Sequence, residues 1–403
     1  MNLKATTIVA LLAGSLAGTA AHASEETTEL LQLSRAYSDS VYAGMVSSSP
    51  FPDSLKVSLQ TQFRYNINVR GSNSTTLASP DDDVTIGFTT RRTKLGIEGK
   101  VTDNISGKVK FGFSQSSGAG TLEDAVLAWK LSDTVTFRAG QFKPSVLREE
   151  IVSSSLQLAT DRSSLNETFN QDFTQGVELI VTEDDWRVTV GFNDGFNADN
   201  TFYNSASEAD YAGTVRGELR FGDASWSQYK QFTSWRGANS GFMLGGALHY
   251  QGMGSTNPAT NPTTEMTTGT IDASLVQDGW NLYAAVLWRS MNSGTMTLTD
   301  SGFVLQGGVF VSDQDEFFGR WDIITPSDSN PTVVGTSGAN DFNTLTVGWN
   351  HYLIPESHAA KFTLEVQHYP DPSTESIVSI RGNLLADSTS DQFAITAQFQ
   401  LLF

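Results

Sequence analysis

Few side chains in this sequence could carry enzyme chemistry. Four histidines follow residue 23, at His249, His351, His358 and His368, and none lies in a nucleophile motif with a serine. The sequence contains no Walker-type phosphate loop and no histidine pair at zinc-binding spacing on a helix. Cysteine is absent, which removes disulfides and thiolate metal ligands. The sequence therefore predicts no catalytic residue, no metal site and no cofactor, and an enzyme is a disfavoured class.

Regularly spaced basic residues suggest electrostatic chemistry instead. Segments of alternating apolar residues carry charges on the opposite face, where basic side chains outnumber acidic ones about two to one. Such basic side chains would lower the free-energy cost for an anion of losing part of its hydration shell. For any single basic residue, an ion pair that braces the barrel is an equally good explanation. Arg91, Arg92 and Lys94 stay unassigned, because the apolar parity switches between Phe88 and Leu95. The basic candidates for a channel wall are Lys108, Lys110, Arg138, Arg187, Arg216, Arg220, Arg289 and Arg320.

The formal net charge of −19 comes mainly from turns and loops, such as residues 81–83 and 183–185. Binding of nucleic acid requires clustered Lys and Arg to neutralise phosphates, so the sequence predicts no nucleic-acid partner. The total charge does not determine the charge of a channel wall, because the two sets of residues differ.

The elements that must position these charges are predicted to be β-strands. In the last segment Gln392, Gln398 and Gln400 alternate with Phe393 and Phe399, so one face is polar and the other apolar. A soluble sandwich also alternates, but many such segments after an export signal favour a transmembrane antiparallel β-barrel, an all-β fold. Sixteen strands are predicted to begin near residues 54, 84, 105, 121, 134, 174, 186, 211, 240, 267, 280, 302, 315, 341, 360 and 391.

The connections alternate between short turns and longer polar loops, which predicts both termini on the periplasmic side. Residues 222–240 depart from this pattern, because a long segment with two tryptophans stands where a short turn is expected. One interpretation is that part of it extends the flanking strands.

The N-terminus predicts export. Residues 1–23 combine an early lysine, a short apolar stretch and a small-residue cleavage site, as a secretory signal peptide does. No other stretch of about 20 apolar residues follows, so any membrane crossing must use strands. Residues 24–53 are predicted to form a helical segment and linker, because apolar residues recur at helical spacing within 25–44; a disordered leader is the alternative. Residues 54–403 form the barrel.

Several motifs resemble one known family. Residues 91–100, 123–129 and 137–150, with further similarity at 306–308 and 349–352, resemble the phosphate-selective porin O and P family. The most specific piece is the Gly-Gln-Phe-Lys-Pro sequence that begins at Gly140. The resemblance implies a homotrimer of sixteen-stranded barrels, each with its third outer loop folded into the lumen as the constriction.

The longest connection, residues 143–173, is also the third outer one. It mixes both signs of charge, and opposed charges across a narrow passage would filter solutes by charge and size. The alternative is a solvated external loop. The predicted constriction residues are Lys143, Arg148, Glu149, Glu150 and Arg162, and the loop also holds Asp161, Glu167 and Asp172.

Together these observations predict a passive pore in the bacterial outer membrane for small hydrophilic solutes, with a weak preference for phosphate-like anions. A structural or adhesive barrel without an open pore is the alternative. Phe403, an aromatic last residue after an alternating strand, resembles the signal read by the barrel assembly machinery. The expected partners are that machinery, outer-membrane lipid and lipopolysaccharide, other copies of the chain and small anions.

Overall fold

The alternating segments form sixteen antiparallel strands that close into a barrel in the computed structural model. The structure describes residues 55–72, 83–203, 205, 208–253, 264–292, 296–330 and 339–403. The predicted signal peptide and the helical segment at 25–44 lie outside the described residues. The strands are β1 (Leu55–Arg70), β2 (Val84–Lys100), β3 (Ile105–Phe113), β4 (Gly120–Lys130), β5 (Val135–Phe142), β6 (Thr174–Thr182), β7 (Trp186–Asn193), β8 (Ala209–Gly222), β9 (Gly241–Met253), β10 (Thr264–Gln277), β11 (Trp280–Asn292), β12 (Thr297–Phe310), β13 (Asp315–Thr325), β14 (Phe342–Tyr352), β15 (Ala360–Tyr369) and β16 (Gln392–Leu402).

The prediction of a sixteen-stranded barrel is confirmed. The observed first residues of the strands agree closely with the predicted ones. The largest difference is at β12, which begins at Thr297 and not near residue 302, because the mostly polar residues Thr297 to Ser301 show little apolar alternation. Among the described residues, helices are short and none is long and apolar enough to cross a membrane. The two α-helices of this described part, α1 (Arg148–Ile151) and α2 (Ser164–Phe169), both lie between β5 and β6.

Closure of the barrel joins the first strand to the last. The register pairs Gln60 with Leu402 and continues to Arg70 opposite Gln392. The backbone of Phe403 extends this seam, since its N–H donates to the carbonyl of Leu59 at 3.0 Å. Closure leaves no free sheet edge, which a membrane would not tolerate.

The two faces of the wall follow the alternation. On β16, Gln392, Gln398 and Gln400 are buried inside the barrel, whereas Phe393 and Phe399 point outward and are exposed. The interior, however, is not polar throughout. Inside the barrel, apolar side chains of β11–β16 pack against apolar residues of the β5–β6 and β15–β16 loops. The strand residues include Tyr283, Leu287, Phe318 and Phe342, and the loop residues include Leu147, Leu158, Leu165, Phe169, Val378 and Leu384.

Residues 223–240 are named the strap here. The prediction that part of this segment extends the flanking strands is wrong. These residues do not extend the flanking strands, because β8 ends at Gly222 and β9 begins at Gly241. The strap instead turns inward: Tyr229, Phe232 and Thr233 are buried. Burial of the aromatic rings explains why this segment is both long and rich in aromatic residues.

Candidate pore constriction

The β5–β6 loop, residues 143–173 and called L3 here, lies against the inner wall of the barrel. Asp161 receives three guanidinium groups from two strands: Arg64 of β1 at 2.5 Å, and Arg91 and Arg92 of β2 at 3.2 and 3.1 Å. On the other side, the Thr160 N–H donates to Glu365 of β15 at 2.9 Å. L3 is therefore tied to both sides of the β1–β16 seam.

L3 also holds its own shape through buried charges. The Glu149 carboxylate accepts from the N–H and the hydroxyl of Ser163, both at 2.6 Å. The Ser163 hydroxyl in turn accepts the N–H of Asn166 at 3.0 Å and caps α2. The Arg162 guanidinium donates to the carbonyls of Glu149 and Val152 at 2.9 and 3.0 Å. Glu149 and Arg162 thus join the two arms of the loop.

A cavity of about 320 Å³ remains between L3 and the wall formed by β2, β3 and β4. Of the predicted constriction residues, Lys143, Glu150 and Arg162 line it, and the first two form an ion pair. Arg148 and Glu149 are not in its lining. The charged lining consists of six basic and five acidic side chains: Arg91, Arg92, Lys94, Lys143, Arg162 and Arg381, with Glu123, Glu150, Glu167, Asp172 and Asp199.

A β-bulge positions one of these carboxylates. The register of β3 and β4 shifts after Lys110, which pairs with Asp124, so that Glu123 is the extra residue of β4. Glu123 reaches the Lys94 ammonium at 2.7 Å and that of Lys110 at 3.5 Å. Asp124 binds Lys108 at 2.9 Å, so the bulge turns two successive carboxylates toward neighbouring bases.

The predicted wall residues fall into two groups. Lys108, Lys110, Arg138 and Arg187, on β3, β5 and β7, keep 21–40% of their side chains exposed. Each has a single carboxylate neighbour; Arg138, for example, meets Glu178 at 2.5 Å. These four remain accessible to a solute on this side of the lumen.

The other four are less accessible. Arg216 and Arg320 are 1–2% exposed and lie between carboxylates, with Arg216 meeting Asp272 at 2.8 Å and Glu218 at 3.1 Å. Arg289 pairs with Asp300 at 2.9 Å. Arg220 donates to the carbonyls of the 183–185 turn and of the strap. The contacts of Arg216, Arg289 and Arg320 are therefore mutual ion pairs, the alternative to a transport role for a wall base, whereas Arg220 mainly donates to backbone carbonyls.

The alternation of residues in the sequence left three of the lining bases unassigned and gave no signal for a fourth, Arg381. Arg91 and Arg92 are adjacent yet both reach Asp161, so the alternation of side chains is interrupted at this point of β2. Arg381 comes from the β15–β16 loop, and 58% of its side chain is exposed. The next residue, Gly382, has a φ of +62°, and a methyl group added there would lie only 2.6 Å from the Asp161 carboxylate.

Burial and charge alter the titration of two L3 residues. Burial would raise the pKa of the Asp161 carboxyl, but Arg64, Arg91 and Arg92 outweigh it and hold that pKa well below its usual range. Burial, assisted by the Arg162 charge, lowers the pKa of the Lys143 ammonium well below its ordinary value. L3 therefore contains both a firmly ionised carboxylate, Asp161, and a lysine, Lys143, that loses its proton more readily than usual.

The sequence matches a family model described as phosphate-selective porin O and P over residues 60–358. The chain belongs to this family. A search of curated protein sequences finds no match. The predicted resemblance is thus confirmed, and the protein is a porin of the outer membrane.

Solved porins share the fold at low sequence identity. An anion-selective porin from Comamonas acidovorans has a TM-score of 0.60 at 10% identity, covering 87% of this chain and 99% of that one. OprB from Pseudomonas putida, in a high-pH structure, has a TM-score of 0.59 at 10% identity, covering 90% and 96%. OmpT of Vibrio cholerae, folded in vitro and in a trimer form, has a TM-score of 0.52 at 14% identity, covering 86% and 100%.

Proposed function

We propose that this porin passes small hydrophilic anions by passive diffusion, with a weak preference for anions over cations. The observation that carries the proposal is the charge of the cavity beside L3. Its lining has an excess of one basic side chain, whereas the chain as a whole carries a formal charge of −19. The acidic residues of the chain are therefore concentrated away from this cavity, and a solute there meets a nearly balanced set of charges rather than the strongly negative charge of the whole chain.

The wall of β3, β5 and β7 supports a continuous path for anions. Lys108, Lys110, Arg138 and Arg187 offer partly exposed cations, each balanced by a nearby carboxylate. A cation near the path compensates an anion for lost hydration, while a nearby carboxylate limits how tightly the anion binds. Weak binding is compatible with rapid passage, so we propose general anion diffusion with phosphate among the solutes.

We also propose a homotrimer, because the family and the trimer form of the similar OmpT fold favour one. The outward apolar residues, such as Phe393 and Phe399, suit contact with outer-membrane lipid or a neighbouring copy. Residues 1–23 are proposed to be removed as a signal peptide, which the mass of the mature protein would test. Phe403 is proposed to be read by the assembly machinery.

Planar-bilayer recording of the purified protein tests the proposed pore and its selectivity. In a KCl gradient we expect stepwise openings, a reversal potential of anion-selective sign and a reduced current after phosphate is added. The double variant Lys110→Gln and Arg381→Gln should bring the anion-to-cation permeability ratio toward one, because it removes two accessible cations.

The matched control is Lys130→Gln, since Lys130 pairs with Asp133 at a turn outside the cavity. A cation-selective reversal potential for the wild type would refute the anion preference. Absence of conductance from folded, heat-modifiable protein would refute the open pore and favour a structural barrel.

A further inference from the structure

The strap spans one end of the barrel. It leaves the wall between β8 and β9 and reaches the turn between β14 and β15, where Gln231 contacts the His358 ring at 3.2 Å. The Thr233 hydroxyl lies 3.1 Å from that of Tyr352, and the Trp235 ring packs against Tyr352 with centroids 4.8 Å apart. The six strands β9–β14 lie between its origin and this contact. By the strand parity, this end is the periplasmic one.

The strap is also packed against L3 inside the barrel. The Phe232 N–H donates to the Leu156 carbonyl of L3 at 3.1 Å, and the Phe232 ring lies 4.7 Å from that of Tyr283. The Arg148 guanidinium lies over the rings of Phe232 and Tyr229, at 5.3 and 5.9 Å. These contacts give Arg148 a position away from the cavity and make the strap and L3 one packed unit.

The wall on this side of the lumen differs in charge from the open side. On β8–β15, the described side chains that are at least nine-tenths buried include six carboxylates and only three lysines or arginines. One of these carboxylates is linked directly to the strap's partner Tyr352, since Glu316 accepts from the Tyr352 hydroxyl at 2.6 Å. The carboxylates are Asp272, Asp300, Glu316, Asp322, Glu365 and Glu218, the last of which also pairs with Arg187 of β7; the bases are Arg216, Arg320 and Lys361.

We propose that the strap, with L3, keeps this acid-rich wall out of the permeation path and thereby determines the ion selectivity of the pore. Solutes then leave along β3, β5 and β7, where the exposed wall charges are basic. The inference rests on the proposed pore function. It adds that the strap affects ion selectivity because it covers the buried carboxylates of the wall. None of the strap residues that pack inside needs to touch the solute.

Two strap variants test this inference in the full chain. One carries Tyr229→Ser, Phe232→Ser and Trp235→Ser, which remove the buried rings; the other replaces residues 225–238 with a short glycine-serine turn. Heat-modifiability shows which of them folds. We expect single-channel conductance to rise about twofold as the covered side of the mouth opens, and the reversal potential to shift toward cation selectivity.

The matched control keeps the rings and removes the two basic charges of the strap, through Lys230→Ser and Arg236→Ser. Both residues are exposed, and Arg236 makes only a distant contact with Asp313, at 3.6 Å. An equal shift of reversal potential in this control would show that strap charge, rather than coverage, sets selectivity, and would overturn the inference.

Thiol labelling measures coverage separately from selectivity. The chain has no cysteine, so each introduced thiol is the only one present. Met243→Cys lies on β9 beneath Ala224 and Tyr229 of the strap, whereas Lys108→Cys lies on the open side. A charged thiosulfonate should modify Lys108→Cys in every background, but Met243→Cys only when the strap is altered.

The outcomes separate the inference from the proposed function. Rapid modification of Met243→Cys beneath an unaltered strap would overturn the inference, as would an unchanged reversal potential after the strap is loosened. A cation-selective wild type would refute the proposed anion preference alone. The inference would then still require the strap variants to become more cation-selective than the wild type.

Discussion

The substitution Asp161→Asn removes the carboxylate on which three guanidinium groups converge. Arg64, Arg92 and Arg91 reach it at 2.5, 3.1 and 3.2 Å, so the local formal charge rises from +2 to +3. Asparagine keeps the shape of the side chain. Arg64 also retains other acceptors, the Gln398 side chain and the Thr160 carbonyl, each at 2.6 Å. We therefore expect the barrel to form and L3 to remain in place.

The magnitude follows from Coulomb's law. An anion passing about 8 Å from residue 161 gains about 2 kcal/mol at an effective dielectric constant of about 20 when the carboxylate charge is lost. Screening over a Debye length of about 10 Å, in about 0.1 M salt, reduces this gain to about 1 kcal/mol. Anion permeability should therefore rise about fivefold. A cation at the same distance is disfavoured by an equal energy, so the anion-to-cation permeability ratio should rise about 25-fold.

The assay is the reversal potential in a KCl gradient at low salt, repeated at about 1 M, where a Debye length of about 3 Å should nearly abolish the effect. Asp133→Asn is the matched control, because it removes an equal charge from a turn residue that is 98% exposed. A ratio that stays unchanged or falls in folded Asp161→Asn protein would refute the assignment of this cluster to the permeation path.

Three further predictions concern stability and assembly. Gly140→Ala should destabilise the barrel by about 1–3 kcal/mol, since residue 140 has a φ of +125° and an added methyl group would collide with the backbone carbonyl of Ala125. Denaturant titration would test this against the control Gly217→Ala, because no atom lies within 4 Å of a methyl group added at residue 217. Equal stabilities of the two variants would contradict the prediction. Because the pKa of Asp161 is depressed, its stabilisation of L3 is fully present above the unfolded pKa of about 3.9 and is lost only as the pH falls through the lower folded value. Peptic digestion of L3 should hence stay slow at about pH 4 and accelerate in stronger acid. Rapid digestion already at about pH 5 would be inconsistent with the cluster. Deletion of Phe403 should lower the amount of folded barrel in the outer membrane, while Phe403→Tyr should preserve it; normal assembly of the deletion variant would rule out a signal at this residue.

The sequence alone determined the strands, because their pattern is local. Side chains alternate between the two faces of any strand. When one face meets lipid and the other meets water, apolar and polar residues therefore alternate along the strand, and this period of two can be recognised in each segment separately. The glutamines and phenylalanines of β16 show this, and their buried and exposed faces in the structure agree with the pattern. Turns and loops are local as well, which is why the number of strands followed from counting them.

Exposure of the wall charges was decided only by the tertiary structure. Lys110 and Arg216 both stand opposite the apolar face of their strands, yet the first is 21% exposed and the second 1%. The difference arises because segments distant in sequence fill one side of the lumen, where Arg216 donates to the Val146 carbonyl of L3 at 3.0 Å. The bulge at Glu123 likewise depends on the register with a neighbouring strand. Alternation gives the face of a side chain, whereas packing between remote segments determines whether that face meets water or protein.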